Sequence, residues 1–253
     1  MENFNGASSQ NPTFSFIIPT LQEDSVIEKL LKNLKSLKNF PYEIIVSDGG
    51  SKDKTVEIAR RYTDKIIIYR EQKRQTIALA RNMGAALSSG EYLIFLDADV
   101  YIPEPDKFFQ RALDNFGRRP NLLGLSGWIR VFPDMETWGD FFGYVIISDC
   151  MFYLQNNILR TGATCGEFQM VKRDVFKKIG GFKEYLAVAE DLDLFRRIAK
   201  LGLTRTDPEL LLYHTGRRPH KIGWPKLLWD WAKNSLHVAV MDKSHDDEWK
   251  VIR

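Results

Sequence analysis

Residues 92–100, YLIFLDADV, constrain the fold of this chain more than any other stretch: five largely apolar residues run directly into two aspartates one residue apart. A short apolar run opened by Gly90 and closed by Pro103 reads as a strand buried on both faces of a sheet. Asp97 and Asp99 then fall just past its carboxyl end, where ligands gather in open α/β sheets. Side chains alternate along an extended chain, so carboxylates at i and i+2 point the same way and can share one hard divalent cation. A surface turn is the other reading, since Asp is common in turns. Two like charges delivered to one spot by a buried strand call for a counterion.

The chain before this strand repeats one plan. An apolar run at 14–18 ends in Pro19, Thr20, Leu21, Gln22 and Glu23, and a helix follows, with Ser25 and Glu28 spaced as a capping box and Val26, Ile27, Leu30, Leu31, Leu34 and Leu37 on one face. EIIVSDGGS (43–51) ends a second strand at Asp48, and Ser51 is placed to cap the next helix. KIIIY (65–69) is a third strand, and 75–90 a third helix stopped by Gly90. Strands alternating with helices predict right-handed βαβ units and a mostly parallel central sheet flanked by helices, an α/β fold.

Beyond residue 105 the rhythm loosens. Helices are expected near 105–116, 137–154 and 189–202, strands at 122–131, 168–172 and 209–214, with a Gly-punctuated loop at 160–167. No linker marks a boundary. The expectation is a single domain over 1–253, with a regular half (13–104), a less regular half (105–220) and a C-terminal helix and tail (221–253).

Composition sets outer limits. With 36 basic and 33 acidic residues the formal charge is +3, which gives no argument for nucleic acid. Cys150 and Cys165 form no disulfide framework and have no metal-ligand spacing, which makes a reducing compartment the default. The first dozen residues lack the basic start and apolar run of a signal peptide, and FFGYVII (141–147) is far short of the roughly 18–20 residues of a spanning helix. The expected location is cytoplasmic, soluble or peripheral to the cytoplasmic membrane face.

Asp48, Asp97, Asp99, Glu190, Asp191 and His214 all fall at strand ends or a helix start, and strand ends of one sheet converge on one crevice. The series PTLQE, VSDGGSKDKT, ARNMGAALSSG, FLDADV, GGF and EDLDLFRR, in that order, resembles the inverting nucleotide-sugar glycosyltransferases of family two, which have the GT-A fold. The ordered set carries the resemblance; no single motif would. It extends over about residues 13–220.

The resemblance implies roles position by position. Thr20, Glu23 and Asp48 match positions that hold the base and ribose, and Arg81 one that helps hold nucleotide or phosphate. Asp97 matches a link to ribose or a metal-bound water, Asp99 a ligand of Mg²⁺ or Mn²⁺ bridging the diphosphate, His214 a further metal ligand and Asp191 the catalytic base. Gln22 stands where the family's usual Asn does. Departing diphosphate develops negative charge, so Arg217 and Arg218 are candidates to clamp it. An acceptor hydroxyl needs a carboxylate to take its proton, the task expected of Asp191. The Gln-x-x-Arg-Trp signature of processive synthases is missing after Asp191, which favours single addition.

Plainer readings accompany each residue. Acidic residues suit a helix start, Asp before Gly-Gly suits a turn, a lone His is often structural, and Arg217-Arg218 reads equally as a solvated loop. The stretch 223–240 sets Trp224, Leu228, Trp231 and Val238 on one face, fitting either a helix packed on the domain or a membrane interface of the kind a lipid-linked acceptor would call for. The partners expected are a UDP- or GDP-sugar and an acceptor hydroxyl. Two other classes compete: a sugar-phosphate nucleotidyltransferase, which would need a Gly-rich loop where PTLQEDS stands, and a non-catalytic nucleotide-sugar-binding protein.

Overall fold

The computed structural model describes residues 12–246; the N-terminal stretch read above as lacking a leader, and the end of the polar tail, lie outside them. Four parallel strands, β1 (Phe14–Thr20), β2 (Tyr42–Asp48), β3 (Ile66–Ile68) and β4 (Tyr92–Leu96), alternate with helices α1 (Ile27–Lys35), α2 (Thr55–Ala59) and α3 (Ile77–Ala86). Then come α4 (Pro105–Arg118), β5 (Leu122–Val131), α5 (Trp138–Tyr144), β6 (Phe168–Lys172), α6 (Arg173–Lys178), α7 (Glu190–Ala199), β7 (Leu203–His214), α8 (Arg217–Ile222) and α9 (Trp224–Met241). The seven strands form one sheet in the order β3-β2-β1-β4-β6-β5-β7. The expected α/β fold with a mostly parallel sheet is the one observed.

Alternation along the central strands sets the two layers. Phe14, Phe16 and Ile18 of β1 and Tyr92, Ile94 and Leu96 of β4 face a core shared with Leu30 and Leu34 of α1 and Phe109 and Phe116 of α4. Ile17, Leu93 and Phe95 face the opposite core with Ala78 of α3, Phe176 of α6 and Phe195 of α7. Burial on both faces is why β1 and β4 read as continuous apolar runs. At Gly84 α3 comes so near β1 that a Cβ would sit 2.5 Å from Ile17 Cγ2.

Three local expectations are corrected. Ser25 caps nothing: α1 starts at Ile27 without a side-chain cap, and Glu28 accepts a hydrogen bond from the Tyr62 hydroxyl instead of closing a box. Ser51 does not cap α2, because its hydroxyl turns back to Asp48. Strand β7 begins at Leu203, six residues earlier than expected. Pro208 hid its first half, and the sheet tolerates that proline by a bulge: Gly127 pairs with Asp207 but Trp128 pairs with Leu211.

Two connections position the site. β6 is antiparallel to both neighbours, and the Leu96–Phe168 pairing sets the start of β6 beside the carboxyl end of β4. An isolated bridge, Tyr101 N–H to Tyr213 O at 2.8 Å and Tyr213 N–H to Tyr101 O at 2.9 Å, ties the loop after Asp99 to the end of β7. After Tyr144 the α5 chain runs on through wider π-helical turns, Val145–Phe152 and Leu154–Ile158. α9 packs against them: Trp224, Leu228 and Trp231 meet Ile147, Phe152 and Ala163.

Candidate active site

At the carboxyl end of β1 and β2, Thr20 and Asp48 are register partners, and the Thr20 hydroxyl donates to Asp48 Oδ1 at 2.8 Å. Asp48 also accepts from Gly50 N (3.0 Å), Ser51 N (2.7 Å) and Ser51 Oγ (2.6 Å). It is fully buried behind the cavity that Thr20 and Gly49 line. Its observed work is to hold the 49–51 turn and Thr20, the turn chemistry allowed for above. Gln22 sits at φ 56, a left-handed conformation that Asn tolerates better.

Asp97 and Asp99 follow β4 as expected but differ in surroundings. Asp97 is partly exposed and accepts from Arg81 Nη2 at 3.1 Å. Asp99 is buried; its Oδ2 accepts from the Thr215 hydroxyl and lies 3.3 Å from Arg217 Nε. Burial alone would raise its pKa, but His214, Arg217 and the Thr215 hydrogen bond hold it below its ordinary value. Arg217 forks the other way onto Glu23, with Nη1–Oε2 2.8 Å and Nη2–Oε1 3.1 Å. Arg217 therefore joins the loop after β1 to the end of β4. Arg218 lines the same cavity.

His214 ends β7 with its ring edge-to-face against Tyr144, centroids 5.1 Å apart at 89°. Its Nε2 is buried and has no hydrogen-bond partner. An orphaned imidazole nitrogen beside an ionised, buried Asp99 fits a divalent cation. Among the described residues no three His, Cys, Asp or Glu side chains group closely enough to hold a metal by themselves. Asp99 and His214 would thus supply two ligands and leave the rest to phosphate oxygens and water, the usual arrangement for Mg²⁺.

α7 opens with Glu190 and Asp191 after Ala189, whose φ of 62 aims the first turn. Glu190 is buried and accepts from Arg81 Nη1 at 2.7 Å. Asp191 faces the cavity, and Leu192 N–H donates to its Oδ1 at 2.7 Å. Burial and neighbouring Glu190 push the Asp191 pKa well above the ordinary value, against the pull of Arg81. Arg81 is 1% exposed and spends its remaining Nη2 contact on Gly166 O at 3.1 Å. Both Nη groups of the guanidinium expected to touch nucleotide are taken up by protein acceptors, while its buried Nε has no hydrogen-bond partner.

The cavity has a volume of about 770 Å³. Its lining combines polar side chains, among them Thr20, Glu23, Asp191 and Arg218, with an apolar group in which Ile147, Phe152, Leu228 and Trp231 pack together. Glu167, Thr215 and Tyr144 belong to the site and were missed in the sequence. Glu167 gets there because β6 runs antiparallel, so the residue before its first position lies beside Asp97. The glycine-rich loop ending in a carboxylate was the available signal.

A mostly parallel sheet with an acidic cluster and a nucleotide-sized cavity at its strand ends defines a GT-A-type transferase fold. Mannosyltransferase PcManGT from Pyrobaculum calidifontis, solved with GDP-Man and Mn²⁺, has a TM-score of 0.71 at 21% identity, covering 93% of this chain and 66% of its own. Residues 15–180 match the Glycosyl transferase family 2 model, and the chain belongs to that family. The PGL/p-HBAD biosynthesis glycosyltransferase of Mycobacterium bovis (strain BCG / Pasteur 1173P2) is 35% identical over 186 residues, 72% of this chain and 68% of that protein. Succinoglycan biosynthesis protein ExoA of Rhizobium meliloti (strain 1021) is 28% identical over 227 residues, 82% of this chain and 65% of that protein. The chain spans about two thirds of the length of these relatives.

Proposed function

We propose that the chain transfers one sugar from a UDP- or GDP-sugar to an acceptor hydroxyl, with inversion and with Mg²⁺ or Mn²⁺ as cofactor. The observation that carries this reading is the gathering of Asp97, Asp99, Asp191 and His214 around one cavity. Thr20 and Glu23 border the nucleotide, with Asp48 holding that edge in shape from behind. Asp97 reaches the ribose side, and Arg217 and Arg218 face the departing diphosphate. Asp99 and His214 would hold the cation, whose positive charge would offset the negative charge that develops on the diphosphate.

Asp191 takes the proton of the acceptor hydroxyl. A raised pKa suits this, because a base is most effective when its pKa approaches the working pH. Attack from the Asp191 side displaces the diphosphate in one step, so no enzyme-bound sugar intermediate is required. Arg81 acts through others, by orienting Asp97 and Glu190.

The apolar part of the cavity lining supports an acceptor with a hydrophobic portion, such as a lipid-linked one. Exposed Trp138 (79%), Phe142 and Ile146 on the α5 segment and Trp229 (69%) and Val240 on α9 support a peripheral membrane contact. Among the described residues no helix is long and apolar enough to cross a membrane. The face of α9 with Trp224, Leu228, Trp231 and Val238 is packed on the domain, so a membrane contact would use the opposite, exposed face. A panel of UDP- and GDP-sugars, scored by thermal shift with and without Mn²⁺ and by product stereochemistry, tests the reading; no response to any donor would defeat it.

A further inference from the structure

His214 presents its two ring nitrogens to different surroundings. Nε2 is buried without a partner, whereas Nδ1 lies 3.9 Å from Glu167 Oε1. A neutral imidazole has one N–H and one lone pair, and an acceptor facing one nitrogen leaves the lone pair on the other. Tyr144, edge-on to the ring, limits its rotation.

Glu167 is itself held on several sides. Arg81 fixes the preceding carbonyl of Gly166 at 3.1 Å, and Phe168 begins β6 in register with Leu96. The carboxylate interacts with the Cys165 thiol, and its side chain is 17% exposed. It faces no lysine or arginine at salt-bridge distance among the described residues, unlike Glu23, Asp97 and Glu190. Nor does it complete a three-residue metal cluster with Asp99 and His214.

We propose that Glu167 is a positioning residue for the cation site: its carboxylate accepts the Nδ1–H of His214, directly or through one water, and so keeps the Nε2 lone pair available to a divalent cation. This rests on Asp99 and His214 being the cation-holding pair. A carboxylate behind a metal-bound imidazole fixes the ring's tautomer and orientation and raises its basicity.

Two measurements test it. In metal-free protein, ¹⁵N NMR of the imidazoles, with His214 assigned from the signals lost in His214→Asn, is expected to show the proton on Nδ1 in the wild type. Glu167→Leu should give a tautomer mixture, and Glu167→Gln, whose amide oxygen still accepts, should largely retain Nδ1–H. Mn²⁺ titration by EPR in the presence of UDP or GDP should show affinity falling roughly 10- to 100-fold in Glu167→Leu and less in Glu167→Gln, with circular dichroism unchanged. A wild-type proton on Nε2, or Glu167→Leu binding Mn²⁺ within about twofold of wild type, would overturn the role of Glu167 alone. If the wild type bound no Mn²⁺ with either nucleotide, the cation reading would fall and this proposal with it.

Discussion

Arg81 of α3 and Glu190 of α7 lie 109 residues apart in sequence and form a buried ion pair, Nη1–Oε1 2.7 Å. Burial disfavours the guanidinium charge, but Glu190 and Asp97 outweigh it and raise the Arg81 pKa. With its second contact, Nη2 to Asp97 Oδ1 at 3.1 Å, Arg81 ties the first turn of α7, which carries Asp191, to the end of β4, which Asp97 follows. Replacing one member would leave the other charge buried and unpaired. Arg81→Met is therefore expected to lower unfolding free energy by about 3–5 kcal/mol, read from urea denaturation. A loss below about 1 kcal/mol would show that the pair is not structural.

Asp191 must be ionised to accept a proton. Its folded pKa is pushed above the ordinary 3.8, so kcat/KM should climb with pH along a limb whose midpoint lies above that value. Asp191→Asn should cost about 10²- to 10⁴-fold in turnover and remove this limb while nucleotide binding persists. An Asn variant with unchanged turnover would leave a binding protein as the better description.

A separate acidic group governs stability at the opposite end of the sheet. Glu43 accepts from Ser15 Oγ (2.5 Å) and Ser89 N (2.6 Å) and pairs with Lys65. Burial opposes its charge, but these bonds bring its pKa from 4.5 down to about 2. A depressed folded pKa means that the stabilisation is present above the unfolded value and lost as pH falls from 4.5 towards about 2. Glu43→Gln should be less stable than wild type at pH 7 and converge with it near the acid end of that window. Parallel stability curves across the window would contradict the assignment.

Trp138 and Phe142 stack with 27° between their planes on the outside of α5. The segment Trp138–Ile158 carries two charges, and both are turned inward: Asp140 is buried against His220 and Trp224, and Asp149 pairs with Arg130. Such a face suits a lipid surface. Each of Trp138→Ser and Phe142→Ser should weaken co-sedimentation with phosphatidylglycerol-containing vesicles roughly 10- to 150-fold, from the loss of roughly 1.5–3 kcal/mol of apolar burial. Equal sedimentation of variants and wild type would remove the membrane contact.

The first half of the fold was legible because each βαβ unit declares itself locally, in an apolar run, a turn and an amphipathic face. Asp97, Asp99, Asp191 and His214 were legible for the same reason, as they sit where such elements end. What escaped is non-local. Glu167 reaches the site through the antiparallel course of β6, and β7 was shortened by Pro208, which only a bulge opposite Gly127 accommodates. The Arg217–Glu23 fork joins residues 194 apart, and no spacing rule announces it. Asp48 shows the converse: its local turn signal proved the better guide to its observed contacts.

Metal-dependent donor binding through Asp99 is tested by isothermal titration of UDP- and GDP-sugars into wild type and Asp99→Ala, with Mn²⁺ and with EDTA. Wild type is expected to bind one of the donors more tightly with Mn²⁺, and Asp99→Ala to lose that metal dependence while keeping the wild-type circular dichroism spectrum. Metal-dependent donor binding that survives undiminished in Asp99→Ala would contradict it.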